Sequence, residues 1–285
     1  MILGPHVLTP LDAGSFLYDG GAMFGVVPRV IWGRLLEPDG DNRILLALVP
    51  LLIETPTRRI LVDTGFGPRL GKRERKVFGL GDDSGVVTAL RSHGVTPEKI
   101  DLVILTHLHM DHAGGAVAKS GDVLVPAFPN ARYLVHELEW TEGHAPNAMN
   151  AAAYRLDDFA PLHEAGVLDI ITDDEMSLGE GVSVVRTGGH CAGHLIVTVT
   201  SDGETAVYPA DLIPTRHHLR APYTAGVDVY PLEVIERKEE LLREAAEGGW
   251  TLILDHDPAG AVGRVTHDEK GRYRFEDIPD TEEPV

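Results

Sequence analysis

Three imidazoles and one carboxylate stand within six residues in the stretch Thr106-His107-Leu108-His109-Met110-Asp111-His112-Ala113-Gly114-Gly115. Neutral imidazole and carboxylate are ligands for zinc, and also for iron, manganese or cobalt. Three later fragments share this character, each placing a ligand-type residue just after an apolar run. Thr187-Gly188-Gly189-His190-Cys191-Ala192-Gly193-His194 follows Val182 to Val185, Pro209-Ala210-Asp211 follows Ala206-Val207-Tyr208, and Asp255-His256-Asp257 follows Leu252-Ile253-Leu254. Together with the first cluster they supply five candidate histidine ligands and two aspartates. A catalytic zinc takes three protein ligands and keeps a position open for water, so one ion does not exhaust the set and two fit it. Two ions bridged by a carboxylate and a hydroxide lie about 3.5–4 Å apart, and both polarise the substrate.

Ligands converge only if rigid elements carry them. Leu102-Val103-Ile104-Leu105 reads as a buried strand that ends at the first cluster, with a short helix from Ala113. Upstream, Phe16 to Tyr18 and Val26 to Trp32 are expected as short strands around Asp19-Gly20-Gly21-Ala22-Met23-Phe24-Gly25, a loop whose Met23 and Phe24 are candidates for lining a pocket. Ile44 to Glu54 and Arg59 to Asp63, joined by Thr55-Pro56-Thr57-Arg58, read as a hairpin that ends in the Asp63 carboxylate. Lys72-Arg73-Glu74-Arg75-Lys76 is a solvated charge run, expected in a flap. Ser84 to His93 has helical spacing, with Val87 and Leu90 on one face and Gly94 as its stop.

Val123 to Val125, Arg132 to Val135, Val167 to Ile171, Val182 to Thr187 and Thr251 to Leu254 have strand character. Glu137 to Ala165 reads as helical with a break near Gly143 to Pro146. Leu195 to Thr200 and Ala206 to Tyr208 form a hairpin around Ser201-Asp202-Gly203. Leu232, Ile235, Leu242 and Ala245 are spaced as the buried face of an amphipathic helix. The expected organisation is one domain over residues 1–285, with a C-terminal hairpin and acidic tail from about residue 263. Strand hairpins mixed with crossover helices predict a sheet-on-sheet core with helices outside.

The chain has 285 residues, 43% hydrophobic and 24% charged, an ordinary balance for a soluble globular protein. No apolar run approaches the roughly 18 residues that cross a bilayer. The start, Met1-Ile2-Leu3-Gly4-Pro5-His6, lacks the basic and apolar regions of a secretory signal, so a cytoplasmic location is expected. A net charge of −19 repels phosphate backbones and anionic lipid, which argues against nucleic acid and membrane as partners. The single cysteine, Cys191, cannot form an internal disulfide.

His107-x-His109-x-Asp111-His112 is similar to the His-x-His-x-Asp-His signature of the metallo-β-lactamase fold superfamily. The resemblance spans nearly the whole chain, since the Asp63 strand, the His190 glycine loop, Asp211 and His256 occur in the family's order. It implies an α/β fold, the family's four-layer αββα sandwich, with metals at one edge between two sheets. It implies two divalent ions, zinc first and manganese, cobalt or iron otherwise. His107, His109 and His190 would bind one, Asp111, His112 and His256 the other, with Asp211 between them. Asp63 would orient a ligand histidine. His194 is expected to be structural, Cys191 not to be a ligand, and one of Asp255 and Asp257 to stand behind His256. The remaining histidines, His6, His93, His136, His144, His163 and His267, are expected on the surface or in loops.

The implied reaction is hydrolysis. A bridging water, acidified from about 15.7 toward roughly 7, yields a hydroxide that attacks a carbonyl carbon or a phosphorus. Asp111 stands where it can pass a proton to the leaving group. Within the superfamily the chain resembles the branch of N-acyl homoserine lactonases and methyl parathion hydrolase-like enzymes, through Asp19 to Gly25 and through Asp211-Leu212-Ile213-Pro214-Thr215 running into His217-His218. Those lactonases hold the lactone with a tyrosine shortly after the bridging aspartate. Here Pro214 stands three residues after Asp211, and Tyr223 is the nearest candidate downstream, so Met23, Phe24, His217 and Tyr223 are the candidate pocket residues. The substrate is expected to be a small lactone, ester or phosphotriester. Two other classes stay open: a mononuclear iron persulfide dioxygenase on the same fold, and a non-catalytic metal-binding member. The branch is often dimeric, so the residues near Met23, Phe24 and Trp32 serve either a pocket or a homodimer contact.

Overall fold

Several strands carry apolar side chains at consecutive positions, and burial on both faces is the reason. In a computed structural model describing residues 1–81 and 85–278, Leu51–Glu54, Arg59–Val62 and Leu102–Ile104 lie in the middle of a seven-stranded sheet. Leu51, Ile53, Ile60, Val62, Leu102 and Ile104 point to one side, and Leu52, Leu61 and Val103 point to the other. The sheet runs in the order Ile2–Leu3, His6–Pro10, Leu51–Glu54, Arg59–Val62, Leu102–Ile104, Arg132–His136, Leu168–Ile171. Its last four strands are parallel.

A second seven-stranded sheet follows chain order from Glu175–Gly179 through Val182–Arg186, Leu195–Ser201, Glu204–Tyr208, Thr251–Ile253 and Val262–His267 to Tyr273–Asp277. All its pairings are antiparallel except that of Glu204–Tyr208 with Thr251–Ile253. That parallel step requires a crossover, which includes the helix Pro231–Gly248.

One core lies between the sheets, built from residues such as Leu8, Ile53, Val62 and Ile104 against Val184, Val197, Tyr208 and Ile253. A second joins the outer face of the first sheet to Val86, Ala89, Leu90 and Leu162 of flanking helices. A third joins Ile196, Val207, Leu252 and Val265 of the second sheet to Val234, Leu241, Leu242 and Ala245 of Pro231–Gly248. The layers are therefore helix, sheet, sheet, helix, the four-layer αββα sandwich.

Local departures from the sequence reading have physical causes. Val26 to Trp32 is not a strand. Pro28 caps a helical turn, Arg29–Trp32, and the buried Trp32 ring stacks on Phe24 at 5.6 Å. The preceding glycine-rich stretch is also helical, Gly20–Phe24, capped by Asp19 accepting from the Ala22 amide at 2.8 Å. Gly20 lies under the Trp32 ring, where a Cβ would come within 2.3 Å of it.

The Ile44 to Glu54 run breaks at Pro50: Arg43–Ala47 leaves the large sheet and pairs with Ser15–Asp19. The charge run forms a helix, Lys72–Val77, and the helix expected from Ala113 spans Met110–Ala113. Helix Glu137–His144 is followed by turns and a short 3-10 helix, Leu156–Asp158, before Ala160–Glu164. Leu232 is 80% exposed, because Val234, Lys238, Leu241, Leu242 and Ala245 form the buried face instead. The C-terminal hairpin extends the second sheet through Val262–His267. Ser84 and the acidic tail from residue 279 lie outside the described residues. No helix among the described residues is long and apolar enough to cross a membrane.

Candidate metal centre

The ligand-type residues sit just beyond strand ends, at one edge of the sandwich. Asp63 directly follows Arg59–Val62, and His107 follows Leu102–Ile104. From the second sheet, His190 follows Val182–Arg186, Asp211 follows Glu204–Tyr208, and His256 follows Thr251–Ile253. Asp63 has a φ of 58°, a left-handed conformation that aspartate tolerates better than most residues. This turns its carboxylate back over the next loop. Oδ1 accepts from the Thr106 amide at 2.9 Å, and Oδ2 lies 2.9 Å from His112 Nδ1.

Ligand atoms of His107, His109, His190 and Asp211 lie within 4.8 Å of one another, and so do those of His112, Asp211, Asp255 and His256. Asp211 belongs to both groups, and its two oxygens divide between them. Oδ2 is 3.1 Å from His190 Nε2 and 3.7 Å from His107 Nε2. Oδ1 is 3.3 Å from His256 Nε2 and 3.6 Å from His112 Nε2. Asp111 Oδ2 stands 3.8 Å from both His112 Nε2 and His256 Nε2. His112 and His256, 144 positions apart in the chain, face each other with their Nε2 atoms 3.2 Å apart.

The donor set fits divalent cations. His190 Nε2 and His109 Nδ1 face each other at 3.0 Å, so the centre contains two close nitrogen–nitrogen contacts. Two imidazole lone pairs at that distance repel unless a proton or a cation lies between them. His107 Nε2 and Asp211 Oδ1 are buried with no hydrogen-bond partner. The rear nitrogens are fixed from behind: His112 by Asp63, His190 by Asp228 at 2.8 Å, and His256 by the Ala47 carbonyl at 2.8 Å. Such outer hydrogen bonds set tautomer and ring direction in metal sites.

Electrostatics show how strongly the site calls for positive charge. Burial lowers His107 and His109 well below the usual histidine range, with neighbouring imidazoles adding to it. Burial opposes the charged form of His190, yet Asp211 and Asp228 raise it to about 9. Burial likewise opposes His256, yet Asp255 and Asp211 raise it to about 9. Burial pushes Asp211 up, but His190, His112 and His256 overcome it and hold the carboxyl well below its ordinary value.

Without cations, protons therefore occupy His190 and His256 at neutral pH, and binding must expel them. Raised values mean that the competing protons are held below about pH 9, so metal affinity is expected to rise as pH increases from 6 toward 9. Calorimetric titration of metal-free protein in buffers of different ionisation enthalpy will show net proton release at pH 7. No release would mean that His190 and His256 are already neutral in the metal-free protein.

A cleft opens over the centre. Phe16, Met23, Leu46, Phe66, Phe78 and Met149 form apolar walls, and His109, Asp111, His190, Asp211 and His256 form the floor. Of the expected pocket residues, Met23 lines this cleft, whereas Phe24, His217 and Tyr223 do not. Phe24 is buried between Trp32 and His218. Tyr223 packs edge-on against Phe24, and its hydroxyl accepts from Arg220. His218 bridges Thr215 and the Met23 carbonyl, tying the N-terminal segment to the chain after Asp211. His194 hydrogen-bonds Thr187 at 2.7 Å and joins neither ligand group. Cys191 is buried, its thiol is pushed up by burial, and it also joins neither. His6 and His136, expected on the surface or in loops, are buried strand residues.

Sequence reasoning missed four contributors. Asp228 holds His190. Tyr154 packs edge-on against His109 at 4.8 Å and donates to Glu139 at 2.9 Å. The buried Glu139 also accepts from the Leu108 amide at 2.8 Å, which pins the backbone between two ligands. Tyr18 lines the cleft. Burial raises its phenol to about 12, with Asp111 and Asp211 adding to the effect.

Residues 50–257 match the metallo-beta-lactamase superfamily. The N-acyl homoserine lactonase of Bacillus cereus is 27% identical over 243 residues, covering 81% of this chain and 86% of that protein. A crystal structure of a probable metal-dependent hydrolase from Staphylococcus aureus superposes with a TM-score of 0.88 at 29% identity, over 98% of this chain and 99% of that one. AidC, a dizinc quorum-quenching lactonase in complex with a product, superposes with a TM-score of 0.81 at 21% identity, over 99% and 97%. The chain belongs to the metallo-beta-lactamase superfamily and is a metal-dependent hydrolase.

Proposed function

We propose that the chain is a dinuclear hydrolase of lactones and esters, with phosphotriesters as the neighbouring substrate class. The carrying observation is Asp211, which offers one carboxylate oxygen to each of two histidine groups. His107, His109 and His190 would hold one cation, Asp111, His112 and His256 the other, and Asp211 both. When bound, the pair supplies an acidified water as nucleophile and an electrophile for the substrate oxygen.

The chain's own residues do the rest. Asp63, Asp228 and the Ala47 carbonyl aim three imidazoles inward. The apolar walls hold an acyl group and exclude water from the reacting centre. Tyr18 keeps its proton at neutral pH, so it can donate to a substrate oxygen from the strand Ser15–Asp19. This phenol takes the place expected for Tyr223. Asp111 lines the cleft and stands beside His256, where it can carry a proton to the departing alkoxide. The N-acyl homoserine lactonase relative and the product-bound lactonase favour lactones within this range.

The test is a substrate panel on chelated and reconstituted protein. Chelation is expected to abolish hydrolysis of acyl lactones and aryl esters, and zinc, cobalt or manganese to restore it. Protein carrying two metals that turns over no lactone, ester or phosphotriester would sink the proposal.

A further inference from the structure

Asp255 is 1% exposed, and neither of its carboxylate oxygens has a hydrogen-bond partner. It stands just after the strand Thr251–Ile253, with Oδ2 3.6 Å from His256 Nε2. One of its oxygens falls within 4.8 Å of the ligand atoms of His112, Asp211 and His256. It faces a small gap that Asp63, Asp111, His112, Tyr208 and His256 also line. That gap lies behind the centre, since Asp255 and His112 line it and do not line the substrate cleft. The one hydroxyl there, on Tyr208, is directed at the Val49 carbonyl at 3.2 Å and Asp63 at 3.5 Å. Among the described residues no side chain hydrogen-bonds Asp255, and its near polar neighbour is His256 Nε2, beyond hydrogen-bond distance at 3.6 Å. A buried carboxylate is ordinarily paired or coordinates a metal.

We propose that Asp255 is a further ligand of the second cation position, approaching from the side away from the substrate. This rests on the dinuclear reading above and goes beyond it. The two positions are then chemically unequal. The first has three imidazoles and the shared Asp211. The second has two imidazoles, Asp111, Asp255 and the shared Asp211. Carboxylate-rich surroundings suit harder cations such as manganese, and imidazole-rich surroundings suit zinc. The second position should therefore hold manganese better than the first does, and Asp255 should be the reason.

The experiment compares metal-free wild type with Asp255→Asn, which keeps the shape and removes the charge. Each is loaded with manganese alone and with equal zinc and manganese. Retained metal is counted by mass spectrometry after dialysis, and bound manganese is followed by its paramagnetic resonance. Wild type is expected to retain two equivalents of manganese and to take up mixed metal from the mixture. Asp255→Asn is expected to bind the second manganese at least about 10-fold more weakly, with the first zinc equivalent unchanged. Asp255→Ser provides the same reading should the asparagine variant fold poorly. Second-equivalent affinity within two-fold of wild type in a folded variant overturns the role of Asp255. Wild type that binds only one metal overturns the dinuclear reading instead.

Discussion

Asp211→Ala is expected to strip the centre of metal and to lower hydrolysis by roughly a thousand-fold or more, in line with losing a main electrostatic element of a catalytic site. Among the described residues, Asp211 is the one member common to both ligand groups, at 3.1 Å on one side and 3.3 Å on the other. Its removal also withdraws the carboxylate that sustains positive charge on His190, His112 and His256. Both cation positions therefore weaken at once, whereas His107→Ala should weaken mainly the first. Metal content of purified Asp211→Ala, measured beside its turnover, decides the point. Two retained metals per chain would show that Asp211 is not shared.

Asp228→Ala is expected to reduce affinity for the first cation by roughly 10–100-fold, the range for groups that orient metal-binding histidines. Asp228 is buried, takes the Ala225 amide on Oδ2 and meets His190 Nδ1 on Oδ1. Without it the His190 ring is free to turn, and its outer nitrogen is left buried and unsatisfied. Competition against a chromophoric chelator measures the loss directly, and the second position provides the internal reference. Affinity within two-fold of wild type would make Asp228 a loop-building residue only.

Asp228 also shows where sequence reading stops. His107, His109, Asp111 and His112 were legible because they are contiguous, and His190, Asp211 and His256 because each follows an apolar strand. Asp228 follows no strand and has no ligand-type neighbours, and only the chain path after Asp211 brings it behind His190. The sheet strands were legible where burial on both faces makes them continuously apolar. Val26 to Trp32 misled because its β-branched residues look strand-like, while Val26 and Val30 are in fact exposed and Trp32 alone anchors the turn. The cleft walls were least legible. Phe16 and Tyr18 share one face of the strand Ser15–Asp19, but Phe66 and Phe78 come from two other segments, and nothing in the spacing joins them to that face.

His112 and His256 meet across 144 positions of sequence, and that separation has a consequence during synthesis. At ribosomal speeds, roughly ten seconds or more pass between the emergence of the first and that of the last. Through that interval the nascent chain presents His107, His109 and His112 as a loose chelate with no enforced geometry. Such a peptide favours copper over zinc or manganese simply by intrinsic affinity. Only when the second sheet docks do His190, Asp211 and His256 impose shape on the site. Under the proposed ligand assignment, choice of metal would be made by the finished fold, after translation, and by the cations available at that moment.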